Sequence, residues 1–519
     1  MILLLSVKYY FCNKNNITML NNFITKYSDK IEGTISCFDR VIISGSLSSW
    51  GYAGAMKSYL LNNDIKIFNY PIFAKQYNEQ IRERVESICK EQNIEIEHIR
   101  SPKKFDKQLN IQKILDKRGY EPGIVKVYTS MEICDSYYPD RENNLPVIKS
   151  DTAKCIHYYI YFIDKTLGLC FLKIPTWLPC RVQFYFNGHK YLEYKLKNSG
   201  IEYQTEDNAF VYISDYQKAQ ELSDDFRSQD LHQWLDIIIN RYIPFLKTTN
   251  QRYNWVITQS EYATDIIFKC SEVSREIYED LVFKSIHSVK PENIATFFSR
   301  KLAAGYEAEV GTKYNKQIHG SRIKHFMGAN SIKMYDKGKK IIRIETTIND
   351  VGEFMIFREV LTRSGKTVRR YARMKKSIYS FFDLGKECRK SNSRYLDFLA
   401  SLTDNSDGKK NLDKVSGKKM ENNRSYKGFN FFDKLDSDIL RVLLSGEFNI
   451  HGFRNKYLRM RLKYKLSSSQ VSRILKRLIL FKIIKRIKGT FKYYLTKLGK
   501  KVISAGLIYK ELYIIPSLT

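Results

Sequence analysis

The stretch SIKMYDKGKKIIRIETTI, residues 331–348, reads as two short strands around a glycine turn. Ile332 and Met334 alternate with Lys333, Tyr335 and Lys337; beyond the turn, Ile342, Ile344 and Ile348 alternate with Arg343, Glu345 and Thr347. A period of two gives each strand one apolar and one polar face. Directly opposed residues of antiparallel strands share a face. A two-residue turn would set Met334 opposite Arg343 and mix the faces. A turn over residues 338–340 sets Tyr335 opposite Arg343, Lys333 opposite Glu345 and Met334 opposite Ile344, and this register is expected because it keeps the faces apart. The polar face then has two readings. Lys333 and Glu345 form a surface cross-strand ion pair, worth little. Or the face is catalytic: Glu345 holds a metal, Arg343 and Lys333 hold phosphate, and Tyr335 attacks it.

The rest of the chain favours a polyanionic partner. It has 519 residues, room for about three domains. Its 87 Lys+Arg against 55 Asp+Glu give a formal charge of +32, alongside 37 Tyr and 30 Phe. Phosphates take up such charge, and bases stack on such rings. The cysteines form no C-x-x-C pair, which argues against structural zinc and for reduced thiols in the cytoplasm. No stretch is long and apolar enough to span a bilayer, so no membrane partner is expected. The short apolar run in residues 1–18 reads as an N-terminal extension, because Met19 opens a more regular pattern.

The expected fold class is α/β (α+β): a mixed-sheet body followed by a C-terminal winged helix-turn-helix domain. An N-terminal α/β domain spans 19–150, with TISCFDRVIISG as a strand and YNEQIRERVESICKEQN as a helix presenting Ile81, Val85 and Ile88. Residues 120–150 read as turn-rich. A central, catalytic body spans 151–403. There KCIHYYIYFID is a buried strand, and a helix follows Asn187-Gly188, with Leu192 and Leu196 four apart and Gly200 as its cap. Two helices are expected at about 378–390 and 392–403, and no internal repeat is visible. Residues 404–428, polar and Gly/Ser/Asn-rich, read as a linker.

From 409 onward the chain carries 27 Lys+Arg and 7 Asp+Glu. Residues 429–519 read as three helices, a hairpin and a final helix. In the third helix, capped by Ser467 or Ser468, Val471, Ile474, Leu475 and Leu478 form the buried stripe. Gln470, Ser472, Arg473, Lys476 and Arg477 then face outward, as entry into a major groove requires, and Lys485, Lys488 and Lys492 lie on the hairpin, or wing. The third-helix pattern S-x-x-Q-V-S-R-x-L-K-R-L resembles MarR-type winged helices, which implies how DNA would be held. A second basic run, Arg363 to Lys376, includes Arg369, Arg370, Arg373, Lys375 and Lys376 and reads as a phosphate track.

The wording CFDRVI, EYATDI, VKPENIATF, SIKMYDK…RIETTIND and MKKSIYS resembles a multi-copy bacterial protein set that ends in a winged helix, which implies a mobile element. The hairpin also resembles the Y-[DN]-K…R-x-E hairpin of some rolling-circle replication initiators, which implies metal-dependent nicking through a tyrosine. Histidine-based nickases need His-x-His on one strand, and none of the eight histidines forms that pair. A metal would therefore sit among carboxylates, which suit Mg²⁺. Glu345, Asp336, Asp265 and Glu261 are the candidates; Glu261 and Asp265, four apart, share a face in either a helix or a strand. Asp39 and Asp164 stand at strand ends, and an arginine partner and a turn account for them more simply. Polar residues at His287, Lys290, Glu292 and Asn293 match capping as well as phosphate binding.

Three functions stay open at this point. The leading one is a mobile-element-type nucleic-acid enzyme, nuclease or transposase-like, that cuts or transfers strands with Mg²⁺. The second is a non-enzymatic winged-helix DNA- or RNA-binding regulator or maturase-like protein. The third is an RNA-bound or RNA-guided element protein.

Overall fold

The computed structural model describes residues 21–510 and 514, except 102–103, 207, 303–305, 318–319, 339, 403–404, 445–447 and 449–451. The expected extension over residues 1–18, and the expected end of the first C-terminal helix at Gly446, lie outside the described residues. The chain divides into two compact units, Met1–Leu402 and Thr403–Thr519.

The first unit is built on one mixed eleven-stranded sheet. A long central strand β1 (Ile31–Leu47) leads through α1 (Ala53–Asn62), α2 (Tyr70–Glu91), β2 (Ile96–Ile99) and α3 (Lys107–Arg118) into β3 (Gly123–Glu142), β4 (Leu145–Asp164), β5 (Gly168–Pro175) and β6 (Val182–Asn187). Then come α4 (Gly188–Asn198), β7 (Tyr203–Glu206), β8 (Ala209–Ile213), α5 (Tyr216–Asp224) and α6 (Ser228–Tyr242). A second long strand, β9 (Tyr253–Phe268), is followed by α7 (Ser271–Ser288), α8 (Pro291–Phe297), β10 (Val310–Gln317), β11 (Gly320–Met327), β12 (Asn330–Asp336) and β13 (Ile341–Ile348). The sheet order is β10-β11-β12-β13-β9-β1-β6-β5-β4-β3-β2, antiparallel except for the β2–β3 pair.

This order repeats one connectivity. In each half a long strand leads through helices into a four-strand meander whose last strand returns beside the first: β6 beside β1, and β13 beside β9. The two long strands pair antiparallel at the centre. The repeat is one of topology, which explains why no repeat shows in the residues. The same pairing overturns a boundary at residue 150. The β3–β4 hairpin crosses it, with Ser136 opposite Asp151, and the stretch read as turn-rich is two 20-residue strands.

The β12–β13 register is the expected one: Tyr335 opposite Arg343, Lys333 opposite Glu345, Met334 opposite Ile344. Every residue of β13 is buried, because β9 and β12 flank it and both sheet faces are covered there. The apolar face packs into the main core, where Ile332, Met334, Ile342, Ile344 and Ile348 join helix residues such as Tyr395 and Leu399. Those two lie on α9 (Phe381–Ser401), a single helix where two were expected: the run over residues 391–393 that reads as a break is buried, and Asn392 is bonded to Thr346, Thr264 and the Tyr262 and Ile344 carbonyls. Before it, β14 (Met355–Leu361) and β15 (Thr367–Arg373) form a separate two-stranded ribbon.

In the second unit the expected linker is structured. Residues 405–426 form α10 (Asn405–Ser416) and a hairpin of β16 (Lys419–Glu421) and β17 (Arg424–Tyr426). Val415 is fully buried in this unit's core, and Phe429 donates its backbone N–H to the Val415 carbonyl. Val415, with Tyr426 packed partly buried beside it, anchors a segment whose composition is mostly polar. Then follow α11 (Lys434–Leu443), α12 (Asn455–Arg461), α13 (Ser468–Leu480), β18 (Ile484–Arg486), β19 (Tyr493–Leu495) and α14 (Lys497–Tyr509). Val471, Leu475 and Leu478 are buried, and Ile474 packs partly buried beside them.

Candidate metal and nucleophile site

The sheet positions the site by register. Along one row, Tyr335, Arg343 and Asp265 stand side by side on β12, β13 and β9. In the next row Lys333 faces Glu345, and in the one after it Thr347 faces Glu261. Asp39 comes from β1, at a bulge between Phe38 and Val41. These side chains share one face because their positions differ by two along each strand.

Arg343 is fully buried and organises one side of the cluster. Its Nε and Nη2 donate to the two oxygens of Asp265 at 2.6 and 2.7 Å, its Nη1 to Asp39 Oδ2 at 3.0 Å, and its Nη2 also to the Asn208 carbonyl at 2.7 Å. Such a fork-shaped, bidentate contact suits guanidinium. Burial works to raise the Asp265 pKa, but Arg343 and His189 outweigh it and hold the carboxyl low. At Asp39, too, burial is outweighed, by His189, Arg343 and Asn208.

Lys333 organises the other side. Its ammonium donates to Glu345 Oε1 at 2.6 Å and to Glu261 Oε1 at 2.9 Å. Tyr335 Oη donates to Glu345 Oε2 at 2.6 Å. Burial and then the Glu345 charge push the Tyr335 phenol well above its ordinary pKa. Burial and the same neighbour raise Glu261, with Lys333 opposing.

Four carboxylates thus face Arg343, Lys333 and His189 in a largely buried space. One oxygen each from Asp39, Glu261 and Glu345 lies within 4.8 Å of the others. Oxygen ligands sit about 2.0–2.6 Å from Mg²⁺ or Ca²⁺, so one ion could bridge such a group. The set differs from the expected one. Asp265 is committed to Arg343, and Asp39 takes its place beside Glu261 and Glu345. Asp39 does have the arginine partner that accounts for it more simply, but that partner is Arg343, inside the site.

Three further residues were not singled out in the sequence. His189 is buried at the start of α4, with Nε2 3.0 Å from Arg343 Nη2. Burial works to lower the His189 pKa, but its anionic neighbours outweigh it and raise it; the other ring nitrogen is Nδ1. That Nδ1 is buried without a hydrogen bond, 3.4 Å from Asp39 Oδ1. Asn187 caps α4 through Oδ1, accepting from His189 N at 2.9 Å, and donates from Nδ2 to Asp39 Oδ1 at 2.8 Å. Asn208 Nδ2 donates to both Asp39 oxygens. The Asn187-Gly188 pair was the available signal: an added Cβ at Gly188 would lie 2.1 Å from the Phe38 carbonyl oxygen, so only glycine lets this helix start approach β1.

Other expectations resolve elsewhere. Asp164 is a turn residue, accepting from Thr166 N and Leu167 N. Asn293 Oδ1 accepts from Lys290 N, so capping uses that polar group. Arg369, Arg370 and Arg373 lie exposed on β15, followed by exposed Lys375 and Lys376. On α13, Ser472, Arg473 and Lys476 are exposed, while Ser472 Oγ accepts from Asn455. Lys485 and Lys488 are exposed and Lys492 is half-buried.

Two α13 residues have partners within their own unit. Gln470 turns back to accept from Ser467 N at 2.7 Å, closing a capping box. Arg477 is bound into its own unit: it pairs with both oxygens of Asp436, donates to the Lys427 and Gly428 carbonyls, and lies 3.8 Å from the centre of the Phe429 ring. Its position on the polar side of the helix was legible; the partner waiting in residues 427–436 was not.

Comparison with known family models, curated proteins and solved structures gives no match.

Proposed function

We propose that the first unit is a metal-dependent enzyme that cuts or transfers nucleic-acid strands through Tyr335, and that the second unit holds nucleic acid as a winged helix. The observation that carries this reading is the cluster itself: one oxygen each from Asp39, Glu261 and Glu345 lies within 4.8 Å of the others, and Tyr335 Oη is 2.6 Å from Glu345 Oε2.

Asp39, Glu261 and Glu345 would hold the cation, with Mg²⁺ matching an all-oxygen set. Bound there, a divalent ion supplies charge stabilisation to the phosphodiester. The chain's own residues do the rest. Arg343 fixes Asp265 and Asp39. Lys333 presents positive charge to a phosphate oxygen. Glu345 Oε2 accepts the Tyr335 proton as the phenol oxygen attacks phosphorus. A tyrosyl–phosphate bond forms, one phosphorus–oxygen bond to the sugar breaks, and the sugar oxygen leaves as a hydroxyl by taking a proton from water, while the Tyr335 proton passes from Glu345 to solvent. The reverse step, with a sugar hydroxyl attacking the tyrosyl phosphate, joins strands.

The second unit supports the winged-helix part through its order of helices, hairpin and helix, its excess of basic residues, and the exposure of Arg473 and Lys476 on α13. The competing reading is a binding protein whose acidic cluster is a closed ion-pair network, and the pairing of Lys333 with both glutamates favours it. End-labelled single-stranded and hairpin oligonucleotides, incubated with Mg²⁺ or Mn²⁺, decide. Cleavage with a covalent adduct that disappears in Tyr335→Phe and Glu345→Gln is expected. Wild-type protein that binds these oligonucleotides but forms neither product nor adduct would reject the enzyme.

A further inference from the structure

On the face of the sheet that carries the site, the row through Lys333 and Glu345 continues to the edge. Lys333 is directly opposite Lys324 on β11, and Lys324 is directly opposite Lys313 on β10. The neighbouring row runs from Tyr335 through Arg322 to Asn315, and the row on the other side contains Phe326 and Ser331. Three lysines and an arginine thus occupy adjoining positions on one face. Like charges directly opposed across strands destabilise a sheet. The repulsion registers at Lys324, where burial and then Lys333, Arg322 and Lys313 depress the ammonium pKa. The carboxylates of the site bond only the inner lysine, Lys333, and at Lys324 the Glu261 charge is outweighed. Lys313 and Asn315 are exposed, and Lys324, Arg322 and Phe326 are half-buried. Lys313 Nζ stands 5.1 Å from the centre of the Phe326 ring.

We infer that the β10–β12 face is the track on which the backbone of a single-stranded nucleic acid lies on its way to Tyr335, its phosphates taken by Lys313, Lys324 and Arg322. This rests on the proposed function, because that reading supplies the reacting centre at the end of the track. Charge complementarity selects a polyanion, and register selects its path: the lysine row crosses the strands and ends at Lys333, one row from Tyr335. Strand spacing of about 4.8 Å sets the lysines roughly 10 Å from first to last, so the row meets successive phosphates of one strand. Shape selects single-stranded over duplex. A major groove admits a helix or a two-stranded ribbon, whereas this face belongs to three adjoining strands of a larger sheet. A basic surface with an aromatic ring is the usual platform for unpaired bases.

The test uses full-length protein carrying Tyr335→Phe, in EDTA, so that binding is read without turnover. Fluorescent single-stranded DNA, single-stranded RNA and duplex DNA of equal length are titrated over a range of salt. The double variant Lys313→Gln/Lys324→Gln should weaken binding of the preferred single strand about tenfold and reduce the salt slope by about 1.4, at roughly 0.7 for each phosphate no longer neutralised. Its melting temperature should stay level or rise, because a repulsion is removed. Lys313→Arg/Lys324→Arg should retain affinity, which excludes a merely structural effect. Unchanged affinity and slope in the Gln pair, or a preference of the track for duplex, would overturn the inference. The proposed function fails separately: wild type forming no tyrosyl adduct while the Gln pair still loses single-strand binding would leave the track and remove the chemistry.

Discussion

Tyr335 and Glu345 are joined across the β12–β13 hairpin by a 2.6 Å hydrogen bond, made on the diagonal rather than between directly opposed residues. The diagonal leaves Arg343, the residue directly opposite Tyr335, free to serve Asp265 and Asp39, and leaves Glu345 Oε1 for Lys333. On the proposed function, the tyrosine would be paired with its proton acceptor before any substrate arrives. Tyr335→Phe removes one hydrogen bond to a charged acceptor and should cost about 1–2 kcal/mol in urea unfolding. The same variant should abolish the covalent adduct. A variant that still forms the adduct would move the nucleophile elsewhere.

The acidic cluster should respond to divalent cations with a definite pH dependence. Burial and Glu345 raise the Glu261 pKa above its ordinary 4.5. A carboxyl raised on folding contributes stability that is present below its unfolded pKa and lost as pH rises through the folded one. Cation binding needs the ionised form and expels that proton. The melting-temperature gain from Mn²⁺ or Mg²⁺ should therefore grow as pH rises through the Glu261 pKa. At a hundredfold excess over Kd the gain corresponds to about 2.7 kcal/mol. Glu261→Gln should shrink the gain and flatten its pH profile; Asp39→Asn should shrink it as well. No cation-dependent shift at any pH in the wild type would remove the metal from the site.

Much of this was legible where residues alternate strictly. The β12–β13 register followed from six positions, because only one turn length kept Met334 and Ile344 on the same side as the core. The polar face of that hairpin was legible as a group. That it lay under cover was not, since burial of β13 depends on β9, whose pairing is decided some eighty residues away. Asp39 illustrates the same limit: alone on its strand it reads as a strand-end acid, and only the β1–β9 pairing sets it beside Glu261. The repeated connectivity of the two halves left no trace in the residues, because strand order constrains hydrophobic period and length but not identity. Composition misled at 405–426, where a mostly polar segment is held by Val415 and the backbone around Phe429.

That segment should behave as part of its unit. A fragment comprising residues 403–519 should unfold cooperatively, since it carries its own core from Val415 through Leu507. A fragment starting at residue 429 loses Val415 and the Lys427 and Gly428 carbonyls that Arg477 binds. It should be less stable by about 2–5 kcal/mol, on the scale of removing a buried side chain and several hydrogen bonds. Equal urea midpoints for the two fragments would restore the linker.

His325 should make the first unit acid-sensitive. It is buried, with Nδ1 2.8 Å from Thr312 Oγ1 and Nε2 2.8 Å from Ser285 Oγ and 3.1 Å from Tyr395 Oη. Burial lowers its pKa to about 3. The unfolded chain takes up this proton near the ordinary value of about 6.5, well before the fold does. Stability should thus fall as pH drops below that value, by up to about 1.4 kcal/mol per pH unit from this one group. Between pH 6.5 and 5 that amounts to about 2 kcal/mol. His325→Gln, less stable at neutral pH, should lose correspondingly less on acidification, and parallel pH profiles for the two proteins would refute the assignment.

The two basic residues that α13 exposes and the one it pairs within its own unit should separate binding from stability. Arg477 holds Asp436, whose side chain is only 6% exposed, and removing the guanidinium leaves that carboxylate with little beyond the Asn430 N–H. Breaking a largely buried pair from one side costs more than the pair itself is worth. Arg477→Ala should destabilise the second unit by about 2–4 kcal/mol, and a defect in nucleic-acid binding would follow from unfolding alone. Arg473→Ala/Lys476→Ala should leave the urea midpoint within about 0.5 kcal/mol of wild type. It should instead lower duplex affinity and reduce the salt slope by about 1.8, two phosphates at roughly 0.9 each. Measuring both variants by denaturation and by salt-dependent binding distinguishes the roles. If Arg477→Ala stays folded and binds poorly, its guanidinium must leave Asp436 for the phosphate, and the outward assignment made from helix periodicity would be the right one. If the double variant binds with unchanged slope, α13 does not enter a groove, and the unit holds its partner by another face.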